Sequence, residues 1–148
     1  MNQPSNHRQV RLDLQLRVEC PSQPGKLWEI FQTIKDHGGL INGHLIYRAA
    51  NQLIALLLCD RPAEAAMALQ SSGYSVETET VVTVRTESQP GVMAHLLRVL
   101  EMANVEIIFS HSTVQADALL VVLQTADNPR AEDALKNYLL LADEGAKP

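Results

Sequence analysis

The sequence predicts an α+β fold made of two ferredoxin-like units, each with strands and helices in the order βαββαβ. The first observation is an internal repeat, in which Ser22-Gln23-Pro24-Gly25 recurs 66 residues later as Ser88-Gln89-Pro90-Gly91. The second is that strand and helix periodicities follow one another in the same order in both halves. This order is typical of an antiparallel sheet that carries both helices on one face, with the first and third strands at its centre.

The repeat also predicts the domain limits. We expect a disordered N-terminal tail over residues 1–10, a first unit over 11–79 and a second unit over 80–148. Units of this length are close to the lower limit for an independent hydrophobic core, so they should pack on each other or on a second chain. Because the edge strands of such small sheets need cover, a homodimer is expected.

The composition is that of an ordinary globular protein, with 46% apolar and 20% charged residues. A net charge of −5 argues against an electrostatic surface for nucleic acid or for an anionic membrane. The N-terminus lacks the apolar segment of a secretory signal, and the longest apolar run, residues 53–59, is too short to cross a bilayer. Two cysteines without metal-type spacing suit a reducing cytoplasm, which is the expected location.

The first strand is predicted over residues 11–20, because apolar and polar side chains alternate there with period two. The alternation places an apolar set toward the core and a polar set outward, where it should stay solvated or line a polar interface. The apolar set is Leu12, Leu14, Leu16, Val18 and Cys20, and the polar set is Arg11, Asp13, Gln15, Arg17 and Glu19.

The rest of the first unit follows from helical spacing and turn residues. After the Pro-Gly turn, apolar residues recur at helical spacing until Gly38-Gly39 end the helix. Asp60 is the expected N-cap of a second helix, over residues 63–72. The apolar stripe of the first helix is Leu27, Ile30, Phe31 and Ile34, and strands are predicted over 40–50, 53–59 (buried on both faces) and 74–79.

The second unit repeats this order. A strand over 81–87 leads into the second Pro-Gly turn and a helix, and two strands and another helix follow. The leucine-rich segment 139–142 is either a short fourth strand or an extension of the last helix. The helix stripe is Met93, Leu96, Leu97 and Leu100, the strands are 106–114 and 118–125, and the last helix is 130–138.

The sequence contains no catalytic signature: it has no nucleophile elbow, no phosphate-binding glycine loop and no zinc motif. We therefore expect no enzyme, no catalytic residue, no metal and no cofactor. His44 and His111 stand 67 residues apart at nearly equivalent positions, where they are either a functional pair or two half-exposed strand residues. Cys20 and Cys59 each end a strand, and we expect ordinary buried thiols that lie near each other at the end facing the repeated turn.

The repeated turn is the best candidate for a functional site. Each copy precedes a helix whose first backbone N–H groups have no intrahelical partner, and these donors favour an anion such as a carboxylate. Proline suits a helix entry, and glycine allows close approach of a ligand. The alternative is that Pro-Gly is only a turn, with Ser22 and Ser88 as helix caps. The expected donors are the amides of Gly25, Lys26, Leu27, Gly91, Val92 and Met93.

A strand followed by x-x-Pro-Gly, an amphipathic helix, a Gly or Asn bend and a second strand resembles the ACT domain. The resemblance covers both units, from about residue 11 to 138, and is closest to small stand-alone proteins built from two tandem ACT units. It implies a non-catalytic regulatory protein that binds a small effector, most often an amino acid, and passes the signal to a client protein. The alternative is an interaction or dimerisation scaffold without a small ligand.

The resemblance implies a ligand at the interface of two units, between the strand-to-helix loop of one and the start of the second strand of the other. Many amino-acid-binding members carry Asp or Asn two residues before the proline, where this chain has serine, so Asn42 or Glu106 would have to accept the amino group. Trp28 has Ala94 as its counterpart, which suggests unequal loops. The residues carried over are Ser22, Gln23, Pro24, Gly25, Ser88, Gln89, Pro90 and Gly91 in the loops, and Leu40, Ile41, Asn42, Val105, Glu106 and Ile107 at the second strands.

Overall fold

The computed structural model describes the backbone of residues 8–145 and the side chains of residues 8–141. The predicted tail thus lies outside the described residues except for 8–10. None of the helices within this range is long and apolar enough to cross a membrane. In chain order the elements are β1 (Gln9–Pro21), α1 (Lys26–Asp36), β2 (Ile41–Ala49), β3 (Gln52–Cys59), α2 (Pro62–Ser71), β4 (Ser75–Glu87), α3 (Val92–Met102), β5 (Ile107–Gln115), β6 (Ala118–Thr125) and α4 (Asn128–Gly145).

The described chain forms two compact units, and both β1 and β4 pass from one unit to the other. One unit is Leu14–Glu79, and the other joins residues 8–13 to residues 80–145. The strand order is β2-β3-β1-β4 in the first unit and β1-β4-β6-β5 in the second. Each unit is therefore an antiparallel four-stranded sheet of the predicted ferredoxin-like type, with its first and third strands at the centre.

The start of β1 supplies the strand that the second unit lacks at its C-terminal end. Residues 139–142 lie in α4, so the helix extension is correct and the alternative of a short fourth strand is wrong. Val10 instead belongs to the core of the second unit. The Thr83 hydroxyl donates to the Asp13 carboxylate at 2.6 Å, which fixes β1 beside β4.

Each unit has one hydrophobic core between its sheet and its two helices, which confirms that both helices lie on one face. Leu16, Val18 and Cys20 point into the first core as predicted. The first core also contains Ile30, Ile34, Ala55, Leu57, Cys59, Ala65, Ala66 and Leu69. The second contains Val10, Val82, Val84, Leu96, Leu100, Val105, Leu119, Val121, Leu123, Ala131, Leu135 and Leu139.

The predicted alternation along β1 is wrong at three residues. Leu12 and Leu14 are exposed and belong to neither core, because they flank the point where the strand passes from one unit to the other. Gln15, expected to face outward, is wholly buried, and its amide donates to Glu79 Oε2 at 3.4 Å. It lies opposite Leu58 on β3, a strand that is buried on both faces as predicted.

The end of α1 leaves no room for a side chain at Gly39. The helix ends at the predicted Gly38-Gly39, where Gly38 has φ +75° and the Gly39 amide donates to the Ile34 carbonyl at 3.0 Å. A Cβ on Gly39 would lie 2.8 Å from Ile34 Cγ2. The backbone therefore turns closely over the helix and leads directly into β2.

The position of Val10 generates a direct test of the shared strand. Val10→Ala should lower the free energy of unfolding by about 2 kcal/mol, because it empties space in the second core. Leu12→Ala, two residues along the same strand, is the control and should change it by less than about 0.5 kcal/mol. The two side chains are 6% and 39% exposed. Urea denaturation of both variants measures the difference, and equal effects would contradict this assignment of β1.

Candidate functional site

The two copies of the repeated turn have the same backbone conformation. Gly25 has φ +90° and Gly91 has φ +83°, each immediately before the helix that follows. This left-handed region is open to glycine and strained for other residues. No atom lies within 4 Å of a Cβ built on either glycine, so the space beside both loops is open.

The helix starts offer fewer free donors than the sequence predicted. The Lys26 amide donates to the Gln23 carbonyl at 3.4 Å, and the Val92 amide donates to the Gln89 carbonyl at 3.2 Å. Both bonds close a turn within the loop, so these two amides are engaged. Within residues 8–145, the structure gives no hydrogen bond to the remaining predicted donors, the amides of Gly25, Leu27, Gly91 and Met93.

The loop serines do not cap the helices, so the prediction of Ser22 and Ser88 as caps is wrong. Neither α1 nor α3 has a side-chain cap. The Ser22 amide donates to the Asn51 carbonyl at 2.9 Å, and the Ser88 amide donates to the Asp117 carbonyl at 2.6 Å. The loops are thus fastened through backbone bonds to the neighbouring strand-to-strand turns. Gln23, Pro24, Gln89 and Pro90 are exposed.

The second strands begin beside the helix-to-strand bends. The Leu40 amide donates to Asp60 Oδ1 at 2.7 Å, so Asp60 binds this strand and the prediction that it caps α2 is wrong. Asn42 is exposed at a bulge between Ile41 and Gly43. Ile41 itself is half-buried.

The second unit has the same arrangement with one difference. The Glu106 carbonyl accepts the Ala126 amide at 2.9 Å, Val105 is buried and Ile107 is half-buried before a bulge. Here Asp127 does bond to the helix start, accepting the Arg130 amide at 3.1 Å. Glu106 is exposed, with its carboxylate available to solvent.

An apolar groove of about 450 Å³ runs between α1 and β2. Its lining includes Trp28, Phe31, Leu40, Ile41 and His44. It therefore brings Trp28 and the start of the second strand together, whereas residues 22–25 lie outside its lining. We call it the edge groove, because β2 is the edge strand of the first unit.

A polar cavity of about 410 Å³, here named the loop cavity, lies where β1 ends and α1 begins. Its lining includes Cys20, Lys26, Glu29, Gln52 and Tyr74. Of these, only Lys26 was predicted. Glu29 could have been found from the sequence, because it stands three residues after Lys26 on the first helical turn. Tyr74 could not, because it is 45 residues from Glu29 in the sequence and no local pattern links the two.

Glu29 is the centre of a hydrogen-bonded group in the loop cavity. The Tyr74 hydroxyl donates to Glu29 Oε2 at 2.5 Å, and Lys26 Nζ lies 3.4 Å from the same oxygen. The hydrogen bond from Tyr74, and then the charge of Lys26, lower the pKa of Glu29. Burial, and then the bond to Glu29, raise the pKa of Tyr74 to about 12. At neutral pH this group is therefore a carboxylate held by a neutral phenol and an ammonium.

The equivalent cavity of the second unit is smaller and has different chemistry. Its volume is about 150 Å³, and its lining includes Val92, His95 and Tyr138. Val92 and His95 occupy the repeat positions of Lys26 and Glu29. Arg8 Nη2 lies 3.9 Å from Glu87 Oε2 at this end of the sheet. The two loops thus share a backbone and differ in charge.

The cysteines and histidines do not form pairs. Because β1 and β3 are antiparallel, Cys20 lies opposite Leu53 and Cys59 lies at the other end of β3, so their expected proximity is wrong. Both are free buried thiols, and burial raises the pKa of Cys59 to about 11. Within the described part of the chain no group of His, Cys, Asp or Glu residues is arranged to hold a metal ion.

His44 and His111 lie on opposite faces of their sheets. His44 is opposite Leu57, a core residue, and its ring meets Phe31 edge-on at 5.6 Å. His111 is opposite Val122 on β6. The residues on either side of Val122, Val121 and Leu123, belong to the core, so Val122 and His111 face the other side of the sheet. The two histidines are therefore not equivalent. At the repeat offset of 66 residues the counterpart of His44 is Ser110, which lies opposite Leu123 as His44 lies opposite Leu57.

The helix-covered sheets and the two glycine-containing loops define a tandem ferredoxin-like module. Residues 12–145 match the sequence model of the ACT domain pair. The chain belongs to this family, as its repeated motif predicted. No curated protein sequence matches the chain.

Solved structures with this fold come from several bacteria. The crystal structure of protein BT0572 from Bacteroides thetaiotaomicron is similar with a TM-score of 0.82 and 21% identity, covering 87% of this chain and 90% of that chain. The ligand-free regulatory subunit of aspartate kinase from Thermus thermophilus is similar with a TM-score of 0.61 and 19% identity, covering 86% and 95%. The corresponding subunit from Thermus flavus has a TM-score of 0.57 and 18% identity, with the same coverages. At these identities the likeness shows the fold.

The contact between Tyr74 and Glu29 predicts a change in acid titration. Tyr74→Phe removes the main cause of the lowered pKa, so the pKa of Glu29 should rise toward its ordinary value. Since that pKa is lowered by folding, its contribution to stability is present at neutral pH and is lost as pH falls through the folded-state pKa. Carboxyl carbon NMR of Glu29 measures the shift. Tyr138→Phe, in the second unit, is the control, and an equal shift in both variants would contradict the contact.

Proposed function

We propose that this protein is a non-catalytic regulatory protein that binds a small effector, an amino acid, at the interface of two ACT units. The observation that carries the proposal is the conserved geometry of the internal repeat: two loops with the same left-handed glycine before a helix start. Membership of the ACT domain pair family supports a regulatory, ligand-binding role. The regulatory subunits of aspartate kinase that share the fold support the same direction.

The chemistry of a helix start suits the carboxylate of an amino acid. The amides of Gly25 and Leu27 have no backbone acceptor among the described residues, and the helix dipole adds a partial positive charge. Open space beside Gly25 leaves room for the ligand. At the second strands, Asn42 and Glu106 are exposed and can accept hydrogen bonds from its amino group.

Regulation requires that the effector favour one state of a client. A ligand held between two units orders both of them, and it shifts a client only if the client contacts the ordered state differently. We therefore propose that the signal passes to a separate client protein through an exposed surface of the pair. Both cysteines are free, which agrees with action in a reducing cytoplasm.

A homodimer is part of the proposal. β2 and β5 are the edge strands of their units, and the edge groove beside β2 exposes Trp28 and Leu40. On the second unit, the β5 residue Ile108 is similarly exposed. An edge strand with unpaired backbone groups and apolar neighbours favours pairing with another chain.

Effector binding is tested by thermal melting of the whole chain against each of the twenty amino acids, read through Trp28. A ligand at about 100 Kd should stabilise the fold by roughly 2.7 kcal/mol. Gly25→Asp should abolish the shift, because its carboxylate repels the ligand's, while Gly25→Asn has similar size and backbone strain without the charge. If the ligand still stabilises Gly25→Asp, the first loop is not part of the effector site. Gly91→Asp then tests the second loop in the same way. If none of the twenty amino acids changes the melting temperature, the interaction scaffold without a small ligand is favoured.

The dimer is tested with two equally exposed apolar residues. Trp28 lines the edge groove, Met67 lies on α2 outside it, and both are 68% exposed. Trp28→Glu should weaken self-association at least about tenfold, because it buries a charge in the contact, and Met67→Glu should leave it unchanged. Sedimentation velocity over a concentration series measures both. A wild-type chain that stays monomeric throughout would contradict the dimer.

A further inference from the structure

We infer that the loop cavity of the first unit binds one small zwitterion per chain, with its ammonium group on Glu29 and its carboxylate on Lys26. The inference rests on the proposed effector-binding role, but it places the two charged ends of the effector on side chains within the first unit and not on the loop amides and Asn42 or Glu106. It also names an acceptor for the amino group that is independent of the serines in the repeated turn. The argument depends on the free oxygen of Glu29, on the donors of Lys26 and on the contrast with the second unit.

Glu29 lines the cavity with one carboxylate oxygen bonded to neighbouring side chains. Tyr74 and Lys26 both contact Oε2, and within the described residues no contact reaches Oε1. The hydrogen bond from the Tyr74 phenol holds Oε2, and the Glu29 side chain is 48% exposed. A carboxylate oxygen in a cavity is a strong acceptor for a primary ammonium group, because such charge-assisted bonds are short and about twice as strong as neutral ones.

Lys26 supplies the complementary charge. Its ammonium carries three N–H donors, and it lies 3.4 Å from Glu29 Oε2 and 5.9 Å from the centre of the Tyr74 ring. One of the three donors is used by Glu29, and the ammonium can therefore also donate to a ligand. The opposite charges of Lys26 and Glu29 are therefore adjacent, at a separation that matches the two ends of an α-amino acid.

The other acidic residue of the lining is already neutralised. Glu19 Oε1 lies 2.7 Å from Arg17 Nη2 and is also bonded by Arg17 Nε. Lys26 and Glu29 are paired with each other at the longer distance of 3.4 Å, so theirs is the looser of these two ion pairs. A zwitterion can bridge it by placing its carboxylate on Lys26 and its ammonium group on Glu29. A volume of about 410 Å³ lies within the range of small-ligand sites and exceeds that of a single amino acid.

The second unit lacks both charges at the equivalent positions. Val92 supplies no donor beyond its backbone, and His95 supplies no carboxylate. The cavity there is about 150 Å³, smaller than the loop cavity of about 410 Å³. The opposite charges of the second cavity are instead Arg8 and Glu87, which lie 3.9 Å apart and outside the helix start. Because the first cavity is the larger and carries its charges on the helix start, a stoichiometry of one per chain is expected.

Isothermal titration of the whole chain with each of the twenty amino acids tests this site. For the amino acid that binds, Glu29→Gln should weaken affinity by roughly tenfold or more, because the ammonium loses its charged acceptor. Tyr74→Phe should weaken it by roughly threefold, since the carboxylate remains but is no longer fixed. His95→Gln, at the equivalent position of the second unit, is the control and should change nothing. N-acetylation or methyl esterification of the ligand should each abolish binding.

The outcomes separate this inference from the proposed function. Binding that is lost in Gly25→Asp but unchanged in Glu29→Gln overturns the loop cavity as the site and leaves an effector-binding protein. Two ligands per chain, or equal losses in Glu29→Gln and His95→Gln, also overturn it. A flat panel of amino acids with a well-folded chain overturns both proposals.

Discussion

Every other feature of the molecule depends on two long strands, β1 and β4, which each contribute to two hydrophobic cores. Val10 fills the second core, whereas Leu16 and Val18 fill the first. Each unit thereby obtains four strands, the number that gives a sheet with a helix-covered face and a place for two glycine-containing loops. Without this sharing the second unit would have three strands and an exposed edge on β4.

The two loops illustrate how a repeat can keep a backbone and change its chemistry. The left-handed glycines before α1 and α3 are retained because the strand must turn sharply into the helix there. The side chains of the first helical turn carry no such constraint, so Lys26 and Glu29 in one unit correspond to Val92 and His95 in the other. A backbone common to both units therefore carries different charges in each.

Much of this arrangement follows from the sequence, and the exceptions have physical causes. The repeat, the helix stripes and the doubly buried β3 are visible as periodicities. The exposure of Leu12 and Leu14 cannot be predicted from periodicity, because the alternation of apolar and polar residues continues unbroken where β1 passes from one unit to the other. The segment 139–142 is apolar without a period, so it fits a strand or a helix equally. Glu29 and Tyr74 meet across 45 residues, a distance that no local pattern encodes.

The shared strand also determines the order in which the chain can fold during synthesis. Residues 14–79 contain every strand of the first unit, so that unit can close as soon as it has been made. Residues 8–13 leave the ribosome before the first unit but pair only once β4 has been made, because Asp13 and Thr83 are 70 residues apart. Such long-range pairing closes late and slowly. A segment that is made before the first unit thus finds its place after that unit, and Val10 stays exposed until then.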